Sequence, residues 1–177
     1  MKPAFCLLMF AVLGCKSDEP APRPVDASYA LPPREPGQTL TQYCNNPGAL
    51  TYSYAKTPET PTPLARNLAE KHGIQVLKGP PDRKGNHVMC FTSSEDGRRA
   101  HVLLLQNDYA GFTVAKAVKR WCKCREWKKY VDFVVGRACV SRKTLIGDLS
   151  DTELRRVAIA QSEWEGGPRV AGPLCQN

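Results

Sequence analysis

The side chains of this chain that could do chemistry are its cysteines and histidines. The stretch WCKCREW, Trp121 to Trp127, sets Cys122 and Cys124 one residue apart among Lys123, Arg125 and two indoles. Such a pair could be a dithiol–disulfide couple, two ligands for a soft metal, or two structural crosslinks. Lys123, Arg125 and Lys128 would lower a thiol pKa and activate it. Redox folds usually carry Cys-x-x-Cys at a helix start, and that spacing is absent. Tetrahedral zinc wants ligands two to four residues apart with a matching second pair, and His72, His87 and His101 make no such pattern. On a helix, residues two apart subtend about 200°. Cys122 would then lie near Val118, and Cys124 would turn toward Trp121 and Ala117. The two sulfurs could meet each other, or grip one metal, only if the helix ended there. The expectation is two staples with different partners, and no metal.

Other catalytic patterns are missing. There is no Gly-x-Ser-x-Gly, no His-Glu-x-x-His, no phosphate-binding glycine loop and no EF-hand. His87 and His101 fall on segments that read as buried strands, which favours structural roles. Asp108 and Glu95 are candidate acids for His101, but no motif stands behind them. No catalytic residue and no cofactor are assigned.

The eight cysteines divide by position. Cys6 lies in an opening run, MKPAFCLLMFAVLGC, with Lys2 followed by an uncharged apolar stretch to Gly14. A permanent span needs about 20 apolar residues, so this run fits a signal peptide core. Its end, Val12-Leu13-Gly14-Cys15, resembles the lipobox of bacterial lipoproteins. That resemblance covers only the first sixteen or so residues. It implies cleavage after Gly14 and covalent lipid on Cys15. In that family an Asp after the cysteine favours the inner membrane. Lys16 stands there, so the resemblance implies an outer-membrane anchor with the domain in the periplasm, ahead of the cell surface or inner membrane.

Removing residues 1–14 leaves Cys44, Cys90, Cys122, Cys124, Cys139 and Cys175. An even number in an oxidising compartment reads as three disulfides whose pairing the sequence does not choose. The tail PRVAGPLCQN offers little else to hold it, so Cys175 should be tied to the body.

Residues 15–40, which begin with the lipidated cysteine, are proline-rich and poor in large apolar side chains. Such a segment favours polyproline II and would act as a tether reaching about 70 Å. Residues 41–177 are long enough for one core, and they are taken as a single disulfide-stapled domain.

Within it, Thr62-Pro63 opens a helix that Gly73 ends, with Leu64, Ala65, Leu68 and Ala69 as its stripe. Ile74 to Leu77 reads as a strand and Gly79 to Gly85 as a turn. HVMCFTSS and RAHVLLLQ flank Glu95-Asp96-Gly97-Arg98, which reads as a type I′ hairpin with Cys90 facing Leu103 and Thr92 facing His101. Phe112 to about Cys124 reads as a helix with an apolar stripe of Val114, Ala117, Val118 and Trp121. Tyr130 to Val135 reads as a strand, broken at Gly136 and resumed at Ala138 to Val140. Ser150 to Glu153 is a capping box at the start of a helix. Leu154, Val157, Ala158, Gln161 and Trp164 share one of its faces, and Gly166-Gly167-Pro168 stops it. The expected fold is α+β: a small, mostly antiparallel sheet with about three helices, stapled by disulfides.

The formal net charge is +8, and the loss of Lys2 brings it to +7. Lys116 to Lys143 carries ten Lys or Arg against Glu126 and Asp132. The candidate binding face is Lys116, Lys119, Arg120, Trp121, Lys123, Arg125, Trp127 and Lys128, because Trp and Arg are favoured interface anchors. Besides the membrane reached through the lipid, an envelope protein partner is expected. The leading reading is a non-catalytic binding module, either an envelope-machine component or an inhibitor or immunity protein. An envelope enzyme or thiol-redox protein using Cys122 and Cys124 is the second reading. A binder of lipopolysaccharide or peptidoglycan, using the basic face on an anionic lipid or glycan, is the third. Nucleic acid is disfavoured by the address and by the absence of its usual motifs.

Overall fold

The structure is a computed structural model that describes residues 31, 33–52, 63–81 and 87–175. The signal peptide, the lipobox and the first half of the tether lie outside the described residues, as do Thr62, Asn86 and residues 82–85 of the predicted turn, whose first residues, Gly79 to Pro81, continue a strand instead. Among the described residues the chain is α+β, with six α-helices rather than about three. No described helix is long and apolar enough to cross a membrane.

In chain order the elements are α1 (Leu40–Tyr43), β1 (Thr51–Tyr52), α2 (Pro63–His72), β2 (Val76–Pro81), β3 (His87–Phe91), α3 (Ser94–Asp108), α4 (Val114–Cys122), α5 (Trp127–Ala138), a 3-10 turn (Ile146–Asp148) and α6 (Asp151–Trp164). The sheet is antiparallel in the order β1-β3-β2. Leu77 lies opposite Cys90 and Thr51 opposite Val88. Central β3 buries Val88, Met89, Cys90 and Phe91, as a strand paired on both edges should. Pro80 and Pro81 sit on edge strand β2, where a missing N–H is tolerated.

The hairpin expected around Asp96-Gly97 is a helix instead. Ser93 is the N-cap, and its Oγ accepts the Asp96 N–H at 3.1 Å. Thr92 and Ser93 both donate hydroxyls to the Asp96 carboxylate at 3.0 Å. Glu95 and Asp96 occupy the first turn, where the helix dipole favours negative charge. The Glu95–Arg98 pair survives as an i,i+3 contact at 2.8 Å. Gly97, Ala100, His101 and Leu105 form the buried face at helical spacing, so Cys90 faces Leu77, not Leu103. Gly97 is needed there: a Cβ would come within 1.8 Å of the Asn45 carbonyl oxygen.

The strand expected over Tyr130–Val135 is likewise a helix. Trp127, Tyr130, Val131, Val134 and Ala138 recur at helical spacing, and the last four are buried. Burial of that stripe outweighs the β preference of valine, which is small and context-dependent. The other local signals hold. Thr113 caps α4, and Ser150 and Glu153 form a reciprocal capping box on α6. Gly73, at φ +62°, ends α2 in the left-handed region.

Two main apolar clusters result. One lies among α4, α5 and α6, with Val114, Val118, Tyr130, Val134, Leu154 and Val157. The other lies between the sheet and α2 and α3, with Leu68, Ile74, Met89, Phe91 and Ala100. Half-buried Trp121 packs against both. Asn46, fully buried, locks the segment after α1 to the sheet. Its Nδ2 donates to the carbonyls of Leu50 and Met89, each at 2.8 Å, and its Oδ1 accepts the Leu50 N–H at 2.9 Å. Leu31 and Leu40 pack on the small cluster of Cys44, Val88 and Cys90.

Candidate functional site

The corner between α4 and α5 gathers most of the residues singled out by sequence. Helix α4 buries Val114, Ala117 and Val118 and leaves Lys116, Lys119 and Arg120 in solvent. Lys123 then takes φ +45°, a left-handed C-cap conformation, and ends the helix one residue after Cys122. That backbone reversal brings the two sulfurs together. The structure pairs Cys122 with Cys124, Cys44 with Cys90 and Cys139 with Cys175, at Cα separations of 5.0, 4.1 and 5.9 Å. The expectation of two different partners for WCKCREW is therefore corrected, for the helix does end there. Cys175 is tied to the body, through the end of α5.

Lys123, Arg125 and Lys128 are exposed around this pair. The Trp127 ring takes Lys119 Nζ at 4.6 Å and Lys128 Nζ at 5.8 Å from its centroid, so one indole links both helices to one cationic surface. Arg120 lies over Phe112 at 5.4 Å. None of Lys116, Lys119, Arg120, Lys123, Arg125 and Lys128 makes an ion pair within 4.0 Å with a described residue. Glu126, the acid of the turn, is held by Lys129 at 2.9 Å. Half-buried Trp121 sets its ring 4.8 Å from His101 and 5.6 Å from Tyr109, on the inner side of α4.

His101 is on α3 and is 1 % exposed. Its Nε2 donates to Gln161 Oε1 at 3.1 Å, and neither Asp108 nor Glu95 is its partner. Burial pushes its pKa down to about 4, so the ring is neutral near pH 7. His87 bonds through Nδ1 to the Gly79 carbonyl at 2.8 Å, bracing the β2–β3 hairpin.

A feature that sequence reasoning missed is a cleft of about 680 Å³ between α3, α6 and the segment after α1. His101, Asn45 and Ile159 line it, together with Arg98, Arg99 and Arg155. Arg98 is engaged by Glu95 at 2.8 Å and Arg99 by Asp96 at 3.6 Å. Its walls come from four separated stretches of chain, and no local spacing could have marked them. Among the described residues no group of three or more His, Cys, Asp or Glu could hold a metal ion.

Comparison with protein-family models, with curated proteins and with solved structures gave no match to this chain.

Proposed function

We propose that this chain is a non-catalytic binding lipoprotein of the bacterial cell envelope, held at the outer membrane by lipid on Cys15, whose α4–α5 corner docks an acidic protein partner in the periplasm. Six exposed cations on one corner, without a carboxylate within 4.0 Å among the described residues, carry this reading. Cations without a carboxylate partner are available to a second molecule's acids, and they steer its approach. Trp127 adds a half-buried aromatic anchor beneath two of the lysines. A component of an envelope machine and an inhibitor or immunity protein both fit such a docking module.

The test is the triple charge reversal Lys116→Glu, Lys119→Glu and Lys123→Glu, read by cross-linking in intact cells and by pull-down at low and high salt. Capture should fall by roughly tenfold or more at low salt while the melting curve stays close to that of the parent. Unchanged capture removes the corner from the account. Salt-sensitive binding to purified lipopolysaccharide or peptidoglycan, with no protein captured, would replace the protein partner with an envelope polymer.

A further inference from the structure

The three disulfides differ in what they hold together. Cys44–Cys90 joins the end of α1 to the central strand across 46 residues and is fully buried. Cys139–Cys175 fastens the tail across 36 residues. Cys122–Cys124 spans 2 residues and ties Lys123 into a turn that backbone bonds already close. The Lys123 N–H donates to the Lys119 carbonyl at 3.2 Å and the Trp127 N–H to the Cys124 carbonyl at 3.4 Å. A crosslink within so short a loop constrains the unfolded chain least and connects no two elements that the backbone does not connect already.

Access and charge point the same way. Cys124 is exposed and Cys122 half-buried, so an incoming thiolate reaches the Cys124 sulfur first. Cys122 is then the leaving group. Its Sγ already accepts the Cys124 N–H at 3.1 Å, a bond that strengthens as charge develops on sulfur. The carbonyl end of α4 opposes that charge with about half a unit of negative charge. Lys119, Lys123, Arg125 and Lys128 surround the turn with four full positive charges, and Glu126 is occupied by Lys129.

We propose that Cys122–Cys124 is an exchange disulfide that accepts two electrons from a protein dithiol set in an acidic surface. A partner thiolate attacks Cys124 Sγ. The bond to Cys122 breaks, its electron pair leaves on Cys122, and that thiolate takes a proton from solvent. A mixed disulfide now joins the partner to Cys124. The partner's second thiolate attacks the partner sulfur of that bond and expels Cys124, which is protonated in turn. The partner dithiol becomes a disulfide, losing two electrons and two protons, and the Cys-x-Cys pair gains both. Each chain oxidises one partner, so no further oxidant enters the balance. The acidic character of the partner rests on the docking function proposed above; the exchange step does not.

The experiment uses the full oxidised chain in graded mixtures of reduced and oxidised glutathione. Samples are quenched with acid, alkylated and mapped by mass. Cys122–Cys124 should open at a ratio at least tenfold less reducing than either other pair. Cys122→Ser should trap glutathione on Cys124, and Cys124→Ser should leave Cys122 largely unmodified over the same interval. Reduction of all three pairs together, reduction of Cys122–Cys124 last, or equal adducts on the two serine variants overturns the exchange. Selective exchange in a chain whose charge-reversed triple variant still captures its partner overturns only the choice of an acidic partner.

Discussion

His101 Nε2 lies 3.1 Å from Gln161 Oε1, and this buried bond joins α3 to α6 across 60 residues of sequence. Burial holds the imidazole pKa near 4, against 6.5 in an unfolded chain. The folded state therefore binds the proton less tightly than the unfolded one. The resulting stability is fully present above pH 6.5 and is lost as pH falls toward 4. Between pH 7 and 5 the loss should be about 2 kcal/mol from this ring alone. Urea denaturation at the two pH values tests it, with His101→Asn as the comparison. The variant should be less stable at pH 7 and show a flatter pH dependence. An equal slope in both proteins would move the effect to another group.

What was legible in the sequence was local. Pro63, Gly73, the Ser150–Glu153 box and the stripe from Val114 to Trp121 each act within a few residues, and each element they mark is present. The two strand errors have separate causes. Ser93-Ser94-Glu95-Asp96-Gly97 satisfies a turn and a helix N-cap equally well, and the contact that decides is distant: Asn45 packed against Gly97. Around Val131 the β preference and the helical period disagreed, and the period governed burial. The Cys122–Cys124 pair was hidden because Lys123, and not a glycine, takes the left-handed conformation that ends α4. The basic face was visible as a run of charge, but Trp121 had already been counted on the apolar stripe, and the core claims it.

Arg137 and Glu163 form the one ion pair among the described residues whose carboxylate is nearly sealed from water. Two guanidinium nitrogens donate to its two oxygens at 2.8 Å, and the Glu163 side chain is 1 % exposed. The same carboxylate accepts the Val170 N–H at 2.9 Å, while Arg137 also bonds the carbonyls of Val170 and Gly172. The pair thus clamps the tail that Cys139–Cys175 fastens. Glu163→Gln should lower stability, because it removes the charge that two guanidinium nitrogens bond and leaves a neutral amide in its place. Arg137 also holds the Glu163 carboxyl below its usual range, so this contribution is present above pH 4.5 and is lost below it. Denaturant midpoints at pH 7 and 3.5 check both statements. A Glu163→Gln protein as stable as the parent at pH 7 would show that the clamp contributes nothing net.

Two glycines should respond to alanine with opposite signs. Gly97→Ala drives a methyl to within 1.8 Å of the Asn45 carbonyl oxygen. That backbone cannot easily retreat, since Cys44–Cys90 and the three Asn46 hydrogen bonds hold it on both sides. The loss should be about 3 kcal/mol, at the upper end for overpacking. In contrast, Gly136 lies on an exposed part of α5 with nothing within 4 Å of the added carbon. There Gly136→Ala should gain about 0.5–1 kcal/mol from helix propensity. Equal small effects would mean that the segment after α1 does not pack on α3 in solution.

The disulfides should rank by the length of chain they close. In the chain-entropy account a crosslink between residues 46 apart is worth about 4 kcal/mol, and one between residues 2 apart about 1.6 kcal/mol. Cys44→Ser with Cys90→Ser loses more besides, because two fully buried sulfurs give way to hydroxyls beside Val88. Cys122→Ser with Cys124→Ser exposes its new hydroxyls at the surface and leaves the hydrogen bonds of the turn in place. Guanidinium denaturation of the two double variants should therefore separate by more than about 2 kcal/mol, with the Cys-x-Cys variant losing no more than about 1.6 kcal/mol. A similar loss in both would make Cys122–Cys124 a structural staple after all. The left-handed Lys123 would then depend on the crosslink, and the alignment of Lys119 and Lys128 over Trp127 would be the feature it preserves.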